Sequence, residues 1–80
     1  MKITPIKLLG KALNTKITVK LKNGSEYVGI LEKYDVNMNL VITDASEVNN
    51  GISVVKYGRI LIRGNNILYI KLDNVQVLWI

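Results

Sequence analysis

At 80 residues, with eleven Lys and Arg against six Asp and Glu and a net charge of +5, the chain is one small basic domain. A chain of this size buries only about 60% of the surface that its unfolded form exposes, so its core is marginal and help from a partner is expected. The absence of Cys and His excludes disulfide staples, a zinc site and histidine-based catalysis.

The first segment is the only helix that the pattern supports, over residues 4–14. Thr4 followed by Pro5 reads as an N-cap with proline at the first helical position, and Ile6, Leu9 and Leu13 recur at helical spacing, flanked by Leu8 and Ala12. Lys7 and Lys11 share the opposite face, and Asn14 and Thr15 close the helix. Lys7, Gly10 and Lys11 also interrupt the apolar run, and no small-residue cleavage site follows, so no secretory leader is expected. No apolar run approaches the roughly 20 residues that span a bilayer, so no membrane partner and a cytoplasmic setting are expected. Residues 1–22 hold six lysines and no acid; that asymmetry favours a polyanion, nucleic acid before membrane.

From Lys16 the period changes to two: Ile17, Val19 and Leu21 alternate with Lys16, Thr18, Lys20 and Lys22, a half-buried strand with a basic outer face. Asn23-Gly24 is a strong hairpin signal. The return strand, "EYVGILEKYDV", carries Gly29 in its interior, where a missing side chain permits a sharp bend. "NLVITDA" follows, then a polar loop over residues 46–51, then "ISVVKYGRILI" and "NILYIKL". The expected fold is mostly β: one N-terminal helix and a strongly bent five-stranded antiparallel barrel. The C-terminal "VQVLWI" has Val75, Val77 and Trp79 in alternation and reads either as an added strand or as a packed tail.

The stretch "ILIRGNNILYI", residues 60–70, reads as a hairpin too apolar for a monomer, because apolar residues are consecutive on both arms. Exposed apolar edge strands invite pairing with another chain, so self-association is expected. Arg63 is out of place in a bare turn. Tyr27, Tyr34, Tyr57 and Tyr69 sit inside strand patterns and read as packing or interface residues. Asp35, Asp44 and Asp73 show no clustered metal-ligand spacing, which argues against an enzyme and leaves no cofactor implied.

Residues 16–45 resemble the first Sm motif, with Gly29, Asp35, Met38 and Asn39, and residues 57–70 resemble the second, with Arg63-Gly64-Asn65. With the helix before them and the extension 73–80 after them, these form a single domain similar to the Sm-like (LSm) proteins of the archaeal branch. The resemblance implies a ring of six or seven protomers, with strands at about 53–62 and 67–72 pairing between neighbours. Homo-oligomers, or mixed rings with paralogous Sm-like subunits, would result. It also implies a pocket for one base of a U-rich single-stranded RNA at the inner rim, and a role as an RNA scaffold or chaperone in RNA processing. In that pocket Asn39 would read the base edge, Arg63 would lie against the base face, Gly64 would let backbone approach and Asn65 would orient Asn39. Asp35 would stabilise the loop, and Met38 would be core. Asn37 stands where many Sm-like proteins place a stacking His, Tyr or Phe, so the pocket has one aromatic plate fewer. The alternative reading is a monomeric basic small β-barrel that binds DNA or structured RNA.

Overall fold

The computed structural model describes residues 4–72 and 76–80; of the positions read above, Lys2, Asp73 and Val75 lie outside the described residues. Helix α1 (Pro5–Ala12) begins where its local chemistry places it: Thr4 is extended (φ −74°, ψ 152°) and its hydroxyl oxygen accepts the Lys7 N–H at 3.4 Å. It ends two residues short of the expected 14, because Asn14 turns left-handed at φ 65°. The Thr15 hydroxyl closes the helix by donating to the Ala12 carbonyl at 2.6 Å. Leu9 and Ala12 are the buried residues of the helix, whereas Leu13, past its end, is exposed; Lys7 and Lys11 face solvent.

Strands β1 (Lys16–Leu21), β2 (Glu26–Tyr34), β3 (Leu40–Asn49), β4 (Ile52–Ile62), β5 (Ile67–Leu72) and β6 (Val77–Trp79) form one antiparallel sheet in the order β4-β3-β2-β1-β5-β6. The expected helix and bent antiparallel sheet are present, with a sixth strand added: the "VQVLWI" segment contributes a strand on the outer side of β5. Asn14 N–H donates to the Leu31 carbonyl at 2.7 Å and Leu31 N–H to the Thr15 carbonyl at 3.0 Å, which ties the helix end to β2.

The bend has an identifiable cause. A Cβ on Gly29 would lie 2.8 Å from the Thr43 carbonyl oxygen and 3.2 Å from the Ala45 Cα, so β2 and β3 approach there as only glycine permits. The register slips between Val28 and Ile30 against β3, and β4 slips against β3 at Ala45, where Asp44 adopts φ 50°. Bulges aligned across neighbouring strands fold the sheet over itself. The enclosed core combines Leu9 of the helix with Ile17, Val19, Leu31, Leu40, Ile42, Ile67 and Ile70, all essentially inaccessible.

Two expectations are corrected. Residues 46–49 are not loop: β3 runs through them, paired Ser46↔Lys56, Glu47↔Val55 and Val48↔Ser53, and the chain reverses only at Asn50-Gly51, both at positive φ (53° and 81°). The segment reads polar because the β3–β4 hairpin carries it away from the core, where no apolar face is required. Residues 60–70 are not a hairpin either. β4 pairs with β3 and β5 pairs with β1; a 3-10 turn over Gly64–Asn66 carries the chain from one end of the sheet to the other. Ile62 and Ile67, at the two ends of that corner, are buried, whereas Leu61 and Leu68 beside them are exposed, so apolar side chains do project from both sides of these two strands.

Candidate nucleic-acid interface

Two connections meet at one end of the barrel: residues 35–39, between β2 and β3, and residues 63–66, between β4 and β5. Asp35 organises the first. Its Oδ1 accepts the N–H of Asn37 at 2.8 Å and the N–H of Asn39 at 3.0 Å, and its Oδ2 accepts the Asn39 side-chain Nδ2 at 2.9 Å. These bonds, led by that of the Asn39 amide, hold the Asp35 carboxyl below its ordinary carboxylate value although it is exposed. Backbone bonds from Met38 N–H to the Asp35 carbonyl (3.0 Å) and from Asp35 N–H to the Asn39 carbonyl (3.1 Å) complete a tight loop. Met38 sits at φ 64° and packs its side chain against the core.

The second connection locks onto the first. Gly64 opens the 3-10 turn, and the first N–H of such a turn has no partner within it. Asn39 Oδ1 supplies that partner at 2.8 Å. The approach is so close that a Cβ on Gly64 would overlap the Asn37 carbonyl oxygen and come within 2.9 Å of the Met38 carbonyl carbon. The glycine at 64 is therefore demanded by the protein's own backbone. Asn66 anchors the turn further: its N–H donates to the Arg63 carbonyl at 3.0 Å and its carbonyl accepts the Lys22 N–H at 2.8 Å.

The amide of Asn39 is thus fixed without ambiguity, since a donor holds its oxygen and a carboxylate holds its nitrogen. One N–H and one oxygen lone pair remain for a ligand. The structure brings Asp35, Asn37, Asn39 and Gly64 together. It corrects the role expected of Asn65: that residue is exposed and makes no hydrogen bond to Asn39 among the described residues, because the Gly64 N–H and Asp35 already hold the amide. Arg63 is exposed and lines a cavity of about 300 Å³ together with Tyr27, Tyr57, Leu61 and Asn66; neither Asn37 nor Asn39 borders it. Arg63 makes no ion pair among the described residues, so its guanidinium is held by no carboxylate. In the strand pattern Lys22 is one more outer-face lysine, yet its backbone bond to Asn66 places it at this end of the barrel. Only that long-range contact identifies it; its position in the alternating strand does not.

Among the described residues no helix is long and apolar enough to cross a membrane. The LSM domain model matches residues 7–72. An snRNP Sm-like protein of Methanococcoides burtonii is 46% identical over 67 residues, which is 84% of this chain and 93% of that protein. The solved structure of a Pyrococcus abyssii Sm protein in complex with a uridine heptamer is 38% identical. It superposes with a TM-score of 0.81 over 85% of this chain and 96% of its own. The P. aerophilum SmAP1 heptamer is 34% identical, with a TM-score of 0.79 over 88% of this chain and 93% of its own.

Proposed function

This chain belongs to the LSM domain family, and from that premise we propose that it assembles into a homo-oligomeric ring, of seven protomers like the P. aerophilum protein, which holds U-rich single-stranded RNA. The role is binding rather than catalysis: a scaffold or chaperone for RNA in the cytoplasm. The observation that carries the reading is the double anchoring of Asn39, by Gly64 N–H at 2.8 Å and Asp35 Oδ2 at 2.9 Å. It presents a preset donor and acceptor toward the Watson-Crick edge of a base, as uracil with its N3–H and carbonyl oxygens requires. Arg63 swings its unpaired guanidinium against the base face, and Asn37, exposed on the facing loop, offers an amide plane on the other side. Gly64 keeps the two loops in register, Asn65 lines the rim, and Lys22 supplies a phosphate contact.

The test is fluorescence anisotropy of labelled oligo-U, oligo-C and duplex RNA against the full chain. Oligo-U should bind best and duplex least, with affinity falling as salt rises. Asn39→Ala removes the reading group and strips Gly64 N–H of its partner. It should weaken oligo-U binding by about 2 kcal/mol while the ring mass stays the same. Unchanged binding by this variant would place the RNA elsewhere on the molecule.

A further inference from the structure

Strand β5 has a neighbour on both sides, β1 on one and β6 on the other. The β6 contact is hydrogen-bonded: Leu72 N–H donates to the Gln76 carbonyl at 2.7 Å and Ile80 N–H to the Leu68 carbonyl at 3.1 Å. Leu78 is buried in the core, and Trp79 meets Tyr69 edge-on with ring centroids 5.0 Å apart. The opposite end of the sheet is different. Beyond β4 no strand follows among the described residues, and Ile52, Val54, Val55, Tyr57 and Leu61 are exposed along it. Among the described residues the sheet therefore has one unpaired edge strand of eleven residues, five of them apolar and exposed, and one edge covered by three residues of its own chain.

Head-to-tail closure needs two different edges that fit each other. β4 can extend a ladder along all six residues of β5, but along only three of β6. We propose that β6 is a detachable clasp: it occupies the outer edge of β5 in the free protomer and is released when β4 of a second copy of this chain pairs there. The proposal rests on the ring reading above. Exchange of one strand for another keeps the β5 backbone groups satisfied before and after, so the apolar surface of β4 supplies the drive. In the meantime β6 shields β5 from indiscriminate pairing. The clasp lowers the apparent affinity of the interface by the fraction of protomers that are open.

Two variants of the full chain test this. The first stops after Gln76. The second carries Lys71→Cys and Val77→Cys, a directly opposed pair between the hydrogen-bonded pairs of the ladder, in a chain with no other cysteine. Oxidation with diamide locks β6 onto β5, and dithiothreitol frees it. Native mass spectrometry over a dilution series should show the truncated chain keeping its rings to about tenfold lower concentration than the full chain, as a clasp closed nine times in ten requires. The locked chain should stay a protomer where its reduced form is a ring. Should the truncated chain fail to fold, the lock decides alone. A locked chain that forms rings as readily as the reduced one overturns the clasp, as does a folded truncated chain with an unchanged or raised threshold. If the full, truncated and reduced chains all remain protomers at tens of micromolar, the ring reading falls and the clasp falls with it.

Discussion

The loop junction and the β4 edge both lie at the surface, and they differ in how their bonding groups are served. At the junction, Asp35, Asn39 and Gly64 N–H satisfy one another within 3.0 Å, and only one donor and one acceptor of the Asn39 amide are left over. Along β4 the reverse holds: one side of the strand pairs with no other strand among the described residues, and Leu61 is 65% exposed. A site that selects a small ligand must be rigid before the ligand arrives, whereas an assembly edge works by leaving area uncovered. The two regions should therefore respond to different substitutions.

The largest effect is expected at the edge. Leu61→Asp places a charge in the surface that a neighbour would cover, and should cost about 2–4 kcal/mol per interface. Light scattering should then report protomers at concentrations where the unaltered chain is expected to form rings; a ring that survives would show that β4 is not the contact.

Gly64→Ala breaks the other region from inside. The added Cβ meets the Asn37 and Met38 backbone, which cannot yield as a flexible side chain would. The loops must part at a cost of about 2–3 kcal/mol, to be read as a lower urea midpoint at fixed protomer concentration, with oligo-U binding lost alongside. Retained binding would mean that the junction is not the pocket.

Asn37→Tyr sharpens the comparison without disturbing either region. Asn37 is exposed, and its part in the loop is played by backbone groups, so the substitution should be tolerated. A stacking ring should tighten oligo-U binding by about 1 kcal/mol. The gain should disappear in the Arg63→Ala background if both side chains clamp one base; strict additivity in that cycle would separate them.

The smallest effect is one of pH. The Asn39 side-chain amide, then its backbone N–H, hold Asp35 below the ordinary carboxylate value of 3.8. A depressed folded-state value means that the loop's order is fully present above 3.8 and is lost as pH falls through the lower, folded-state value. The Asn39 side-chain NMR resonances should be flat from neutral pH down to that region and move only below it. Asp35→Asn should abolish the inflection.

Part of the loop junction was legible in the sequence through its resemblance to the two Sm motifs, which contain Asp35, Asn39 and Gly64, and the capping habit of Asp35 is a local property of Asx loops. What could not be read was which group holds which. Asn65 and Gly64 are adjacent in sequence, and only the start of a 3-10 turn, with its orphan N–H, makes the backbone of Gly64 the partner of Asn39. The position of Lys22 was hidden for a related reason, since its backbone is tied to this end of the barrel through Asn66, 44 positions along the chain.

The fold divides along the same line. By itself the sequence determined the helix start at Thr4-Pro5, the period-two strands, the reversal at Asn23-Gly24 and the bend at Gly29. Each follows from capping, alternation or a missing side chain within a few residues. The tertiary structure decided that β4 and β5 part company instead of pairing, that polar residues 46–49 continue as strand, and that Val77–Trp79 lies on β5. Those outcomes depend on which strand edges remain open once the sheet has curled around Leu9 and Leu31. That competition is settled by contacts between residues far apart in the chain, which no local pattern records.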